Sequence, residues 1–358
     1  MFQEITPRSN FGVKILECMS QEEVCGGKPP VDNKRLLLRP FFSVRNHYKT
    51  NIKRRHRRMV TQPDRPSVCF IGLGVMGFPM AGHLANKGFP VTVYNRTPGK
   101  SQHWQTLYKG QATSNLNEAA DSQIIISCIG RDEDLESVYL GSTGLLRQLQ
   151  PGALVIDHTT ASATMAERLF KEAAAQQTGF IDAPVSGGQQ GAINGVLTVM
   201  CGGAIADFER AAPVISSYAK SIKLMGPAGA GQKTKMVNQI AIAGLVQGLA
   251  EAIAFSERSG LSTLDVIDVI SRGAAQSWQM ENRHKTMLEG FYEHGFAVDL
   301  MRKDLSIVFE EARKNGASLP VTALVDQFYS EVQSMGGGRW DTSSLLARLQ
   351  RSTTLPNK

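Results

Sequence analysis

Two groups of residues in this chain have types and spacings suited to chemistry. The first is Lys235 and Asn238, three residues apart near the start of QKTKMVNQIAIAGLVQGLAEAIAFSER, residues 232–258, which is small or apolar nearly all round. On a helix, residues three apart share a face. A lysine and an asparagine among apolar neighbours are costly unless they face a polar site, although a solvated first turn accounts for them as well. A lysine desolvated in an apolar site has its pKa drawn down from ~10.4 and is then able to exchange a proton with a reacting oxygen near neutral pH. The second group is the loop Gly72, Leu73, Gly74, Val75, Met76, Gly77. In that spacing the first glycine allows a tight turn, the second lets backbone approach a pyrophosphate, and the third lets a helix pack close to a strand.

The elements that must position these residues follow from the apolar pattern. Val68-Cys-Phe-Ile71 before the loop and Val91-Thr-Val-Tyr94 after it read as strands, with a helix between them ending near Lys87-Gly88. That is the layout of a dinucleotide-binding unit, with the phosphates at the helix N-terminus. An acidic residue after the second strand would bind the adenosine ribose hydroxyls, but Asn95, Arg96 and Thr97 stand there instead. Arg96 suits a 2′-phosphate, so the expected cofactor is NADP, with NAD as the alternative. Further apolar strands are expected at 124–129, 153–157 and 179–183, with helices at 100–110 and 163–177. After Gly226-Pro-Ala-Gly229-Ala-Gly231 the pattern is helical: 232–258, 263–272, 279–289, 299–315, 320–334 and 341–350. The expected fold class is therefore an α/β, Rossmann-type, doubly wound parallel sheet followed by an all-α domain, the two joined by a long central helix. The domain boundaries are drawn at 1–65 (basic extension), 66–228 (nucleotide domain), 229–258 (central helix), 259–350 (all-α domain) and 351–358 (tail).

Four segments occur in order: GLGVMGFPMAGHL, DAPVSGG (Asp182 to Gly188), GPAGAGQKTKMVNQ (Gly226 to Gln239) and FAVDLMRKDL (Phe296 to Leu305). Together they resemble the β-hydroxyacid dehydrogenase family, which includes 3-hydroxyisobutyrate dehydrogenases, tartronate semialdehyde reductases and glyoxylate/succinic semialdehyde reductases. The resemblance runs over about 66–350 and implies hydride transfer between a nicotinamide cofactor and a small hydroxyacid or semialdehyde. It implies that Lys235 is the catalytic lysine and that Asn238 lies beside the substrate. Relatives with a K-x-x-x-N spacing have their amide where Gln239 stands here, so which of the two touches substrate is open. It further implies that Ser186, Gly187 and Gly188 hold the substrate carboxylate and that Thr160 lies near the nicotinamide ribose. Phe296, Lys303 and Asp304 would close over cofactor and substrate. Backbone N–H groups at a glycine-rich turn suit a carboxylate, because glycine allows close approach.

Composition bounds the alternatives. The chain has 358 residues, 42% hydrophobic and 20% charged, which is globular. No apolar run is expected to reach the length of a membrane span. The five cysteines show no metal or redox spacing, and no metal is expected. The net charge of +7 is local: residues 1–62 hold thirteen Lys/Arg against five Asp/Glu, leaving 26 against 27 for the rest. The body thus lacks a polyanion-binding signature, and nucleic acid is not an expected partner. A non-catalytic nucleotide-binding scaffold tethered by the basic extension is the competing class of function, with the presence of Lys235 against it. A phosphorylated-sugar-acid dehydrogenase would need a much larger helical domain. Residues 33–58 are Arg-rich and acid-poor like a transit peptide, whereas Glu4, Glu17, Glu22 and Glu23 are not in keeping with one. Disorder, or a true start at Met59, is preferred to organellar targeting, so a cytoplasmic location is expected, and the resemblance implies a homodimer or homotetramer with the apolar all-α domain as the contact.

Overall fold

A computed structural model describes residues 65–351. The expectations placed on the basic extension, on Met59 and on residues 352–358 lie outside the described residues. Among the described residues there are nine strands: β1 (Val68–Ile71), β2 (Val91–Tyr94), β3 (Gln111–Thr113), β4 (Ile124–Ser127), β5 (Leu154–Asp157), β6 (Gly179–Asp182), β7 (Val185–Ser186), β8 (Leu197–Gly203) and β9 (Ala219–Gly226). The helices up to the last strand are α1 (Gly77–Asn86), α2 (Pro98–Leu107), α3 (Asp132–Tyr139), α4 (Ala163–Ala175), α5 (Gly188–Ile193) and α6 (Ile205–Ile215). Then follow α7 (Ala230–Arg258), α8 (Thr263–Ile270), α9 (Trp278–Leu288), α10 (Val298–Asn315), α11 (Pro320–Ser334) and α12 (Leu345–Arg351).

The strands form one sheet whose first six members run parallel in the order β3-β2-β1-β4-β5-β6. Alternate side chains of a strand point to opposite faces, and here each face meets its own core. Val68 and Phe70 of β1, Ile124 and Ile126 of β4, and Leu154 and Ile156 of β5 pack with Met80, Leu84 and Trp104. Cys69, Ile71, Ile125 and Val155 pack on the other face with Leu135, Leu145 and Leu169. Burial on both sides is why these strands read as unbroken apolar runs. The winding reverses between β1 and β4, and this places a crevice at their C-terminal ends.

Beyond β6 the sheet departs from the all-parallel expectation: β8 runs antiparallel to both β6 and β7, and β9 then pairs parallel to β8. Short β3, β7 to β9 and α3 were not legible in the apolar pattern. β9 alternates exposed Lys220, Ser221 and Lys223 with half-buried residues, the texture of a solvated sheet edge rather than of a core strand.

From α7 onward the elements are helical. Ala243, Val246, Leu249 and Ile253 of α7 form a third core with Met301 and Leu305 of α10, Val325 and Tyr329 of α11, and Leu345 of α12. A small cluster of Ala163, Met236 and Val308 joins α4, α7 and α10, and so ties the helical part to the sheet. The central helix corrects one expectation, since its 29 residues are long and apolar enough to cross a bilayer. One side of it is buried, with Gln232, Lys235, Gln239 and Gln247 enclosed and α10, α11, α12 and β8 packed against it, while Val237, Leu245 and Phe255 are exposed.

Candidate active site

At the end of β1, Gly72 takes a φ of +98° that other residues rarely adopt, and a Cβ there would lie 2.3 Å from the carbonyl oxygen of Cys128. A Cβ on Gly77, the first residue of α1, would lie 2.0 Å from the Gly72 carbonyl oxygen and 2.9 Å from the Phe70 ring. Gly74 is different: nothing lies within 4 Å of where its Cβ would be. The loop thus packs tightly at its two ends and leaves open space at its middle glycine. The N-terminus of α1 has no side-chain cap and no acidic residue in its first turn. Such an end offers backbone N–H groups and the positive end of the helix dipole to an anion. These residues fit the pyrophosphate of a dinucleotide.

The loop is braced from β2. The Asn95 side chain accepts a hydrogen bond from the Leu73 amide at 2.9 Å and donates to the Thr97 carbonyl at 3.1 Å. Arg96 is nine-tenths exposed, and its guanidinium stands 3.2 Å from the Asp134 carboxylate on α3. A surface pair of this kind is worth about 0–1 kcal/mol, so releasing Arg96 to another anion costs little.

Six of the residues singled out by sequence form a continuous polar chain across three parts of the fold. Ser186 of β7 donates from its hydroxyl to Asn238 Oδ1 at 3.2 Å. Asn238 Nδ2 donates to Gln239 Oε1 at 2.8 Å, and Gln239 Nε2 donates to Asp304 Oδ2 on α10 at 2.7 Å. The Lys303 ammonium stands 2.8 Å from Asp304 Oδ1 and donates to the Thr160 carbonyl, in the loop after β5, at 2.6 Å. The two amides differ in setting: Gln239 is buried and turned to Asp304, while half-buried Asn238 faces Ser186. Gly187 and Gly188 follow Ser186 with φ of +127° and +62°, and a Cβ on Gly188 would meet nothing within 4 Å.

Lys235 is 8% exposed, so a solvated first turn is not its environment. Burial draws its pKa from 10.5 down to about 8, against the nearby Asp304 carboxylate, which acts to raise it, and with help from the Lys303 ammonium, which acts to lower it. Such an amine carries a proton at neutral pH and is able to give it up. Phe296 is placed otherwise. Its backbone amide donates to Asp341 at 2.8 Å and it packs against the helical core. Among the described residues no group of three or more His, Cys, Asp or Glu could hold a metal ion.

The sequence reading missed four buried polar residues below this site. Asp157, at the end of β5, accepts from the Ser127 hydroxyl at 2.7 Å and the Thr159 amide at 3.1 Å, and burial pushes its pKa up to about 7. His158 Nδ1 donates to the Ala183 carbonyl at 2.6 Å and Nε2 accepts from the Tyr218 hydroxyl at 2.8 Å. Burial lowers its pKa to about 4, so it stays neutral. Asp182 accepts from the amides of Gly229 at 2.8 Å and Gln232 at 2.9 Å, and its pKa is raised by burial against those hydrogen bonds. Gln232 is 1% exposed. The sequence signal for Asp157, His158 and Asp182 is position, a polar residue just where an apolar strand ends; Gln232, in the first turn of α7, has no such signal.

Known proteins match this arrangement along the described chain. Residues 67–226 match the family described as the NAD binding domain of 6-phosphogluconate dehydrogenase. Residues 229–349 match that described as the NAD-binding domain of NADP-dependent 3-hydroxyisobutyrate dehydrogenase. An uncharacterized oxidoreductase of Shewanella frigidimarina is 59% identical over 80% of this chain and 98% of its own. A probable 3-hydroxyisobutyrate dehydrogenase-like protein of Arabidopsis thaliana, described as mitochondrial, is 35% identical over 82% of this chain and 87% of its own. The structure of Mycobacterium tuberculosis 3-hydroxyisobutyrate dehydrogenase with L-serine superposes with a TM-score of 0.72 at 28% identity, covering 80% of this chain and 99% of that one.

Proposed function

The chain belongs to the β-hydroxyacid dehydrogenase family, an oxidoreductase family that uses a nicotinamide cofactor, and on that premise we propose that it interconverts a small β-hydroxyacid and its semialdehyde with NADP(H), Lys235 serving as the acid and base. The observation that carries this reading is the buried Lys235, shifted to about 8, one turn from the Asn238–Ser186 contact. The nicotinamide, when bound, supplies or accepts the hydride. Lys235 in its ammonium form stabilises the charge that grows on the carbonyl oxygen and donates the proton; in the reverse direction the neutral amine takes it. Asn238 orients the same oxygen. Ser186 and the backbone of Gly187 and Gly188 hold the substrate carboxylate, and Thr160 and Lys303 border the nicotinamide side. Arg96 favours NADP over NAD, in keeping with the NADP-dependent enzyme named for the C-terminal match.

A cytoplasmic homodimer or homotetramer completes the proposal. It is supported by free thiols at Cys69, Cys128 and Cys201 and by exposed apolar side chains on α7 and α8, among them Val237, Phe255 and Val269. A spectrophotometric panel of small hydroxyacids and semialdehydes, each with both cofactors, tests the activity. The expected result is NADPH-dependent reduction of a small carboxylate-bearing aldehyde. Activity only on substrates without a carboxylate would refute the role given to Ser186–Gly188.

A further inference from the structure

The helix that carries Lys235 is fastened to the sheet by a joint that neither catalysis nor cofactor binding explains. α7 has no side-chain cap of its own, and its N-cap, Gly229, has a φ of +87°. Its first amides are satisfied from β6 by the two oxygens of Asp182, one for Gly229 and one for Gln232. The fit is close, since a Cβ on Gly231 would lie 2.4 Å from the Met200 carbonyl oxygen and 2.7 Å from that of Asp182. Gln232 continues the joint upward. Its Nε2 donates to the Thr159 carbonyl at 2.8 Å, and its Oε1 accepts from the Ala161 amide at 3.1 Å. A side-chain amide thus engages the carbonyl of residue i and the amide of residue i+2, the pair of groups a neighbouring strand would engage.

We propose that Gln232 is a positioning residue, setting Lys235 against the loop 159–161 so that the proton donor and the nicotinamide-side backbone keep a fixed separation. This rests on the function proposed above. Gln232 and Lys235 are three residues apart on α7, so any shift of the loop relative to Gln232 is a shift relative to Lys235. Thr160, between the two residues that Gln232 holds, is itself held by Lys303 of α10, whose ammonium donates to its carbonyl. The loop is therefore pinned at three consecutive residues by the central helix and by α10. A buried amide is not the cheapest filling for this space. An apolar side chain of equal volume would pack as well, but it would leave the Thr159 carbonyl and the Ala161 amide without partners. What the amide adds is register.

The test uses Gln232→Met, which keeps the volume, and Gln232→Glu, which keeps the shape and sets an oxygen against the Thr159 carbonyl. Amide hydrogen exchange on the protein without cofactor is expected to rise at Ala161 in the methionine variant, by about tenfold or more, and to rise less in the glutamate variant, whose remaining oxygen still accepts from that amide, with the exchange of the sheet unchanged in both. Misplacement by about an ångström costs on the order of 10²-fold in a reaction of this kind. Single-turnover hydride transfer is therefore expected to fall about 10- to 100-fold, and the isotope effect on kcat with 4-deuterated NADPH to grow. NADPH affinity, read by fluorescence titration, is expected to stay within about threefold, since the pyrophosphate site lies elsewhere. An unchanged transfer rate in a folded variant overturns the proposal. So does failure of both variants to fold, which would assign Gln232 to the architecture alone. If the wild-type protein transfers no hydride, or Lys235→Ala transfers it as well as wild type, the function fails instead. The exchange at Ala161 still judges the contact in that case.

Discussion

Replacing Lys235 with methionine is expected to make the protein more stable and nearly inactive at once. Burial lowers the lysine pKa from 10.5 to about 8. The unfolded chain therefore binds the proton more tightly, and stability rises with pH between about 8 and 10.5 and is lost as pH falls through 8. At pH 7 the penalty is fully present. A shift of this size corresponds to roughly 3 kcal/mol, at about 1.4 kcal/mol per unit. Methionine fills a similar volume and carries no charge. Asp304 keeps Lys303 as its partner. Lys235→Met should then gain about 1–3 kcal/mol at pH 7 and much less at pH 10. The same change removes the proton donor, which contributes typically 10²–10⁴-fold. Lys235→Arg should fail nearly as badly, because a guanidinium does not release its proton near neutral pH. In the wild-type enzyme the reductive kcat should fall about tenfold from pH 7 to pH 9 while the oxidative kcat rises, because reduction needs the ammonium and oxidation the amine. Urea melts at pH 7 and 10, with pH profiles in both directions, measure all of this. A methionine variant that keeps more than about a tenth of kcat, or that is destabilised at pH 7, would refute the reasoning.

Three further outcomes follow from the same geometry. Arg96→Ala should weaken NADPH binding about tenfold or more, the value of a charge-assisted phosphate contact of ~1.5–3 kcal/mol, and leave NADH little changed; equal or better kcat/KM with NADH in the wild-type protein would remove the basis for the preference. Gly74→Ala should leave the melting temperature unchanged, because its Cβ meets nothing within 4 Å, yet cut cofactor affinity. Gly77→Ala should instead lower stability by about 1–3 kcal/mol, since its Cβ meets the Gly72 carbonyl at 2.0 Å; calorimetry with NADPH titration separates the two. Asp157→Asn should stabilise the protein at pH 8 and have little effect at pH 4. Burial raises the Asp157 pKa from 3.8 to about 7, so the folded state prefers the neutral form, and stability is lost as pH rises from 4 through 7. Thermal melts of this variant across that range check the sign.

Why some of this was legible in the sequence and some was not follows from the range of the interactions. β1, β4 and β5 are unbroken apolar runs because each has a core on both faces. The glycines of 72–77 are forced by contacts within the same βα unit and with the adjoining strand end. Local pattern suffices for both. β8 and β9 were missed because Leu197–Gly203 ends in glycines and Ala219–Gly226 is half exposed. No short window distinguishes such strands from loops. The site shows the same division. A lysine in a solvated first turn and a lysine in a catalytic pocket have the same spacing to Asn238, so periodicity left both readings open. What separates them is burial, and the groups that act on the Lys235 amine, Asp304 and Lys303, come from α10, nearly seventy residues away in sequence. The seat of the helix is equally non-local: Asp182 reaches amides 47 and 50 residues on, and Gln232 reaches back 71 and 73 residues to the loop after β5. Residue types can mark a lysine suited to proton transfer, but its pKa and its surroundings are set by partners that only the fold brings together.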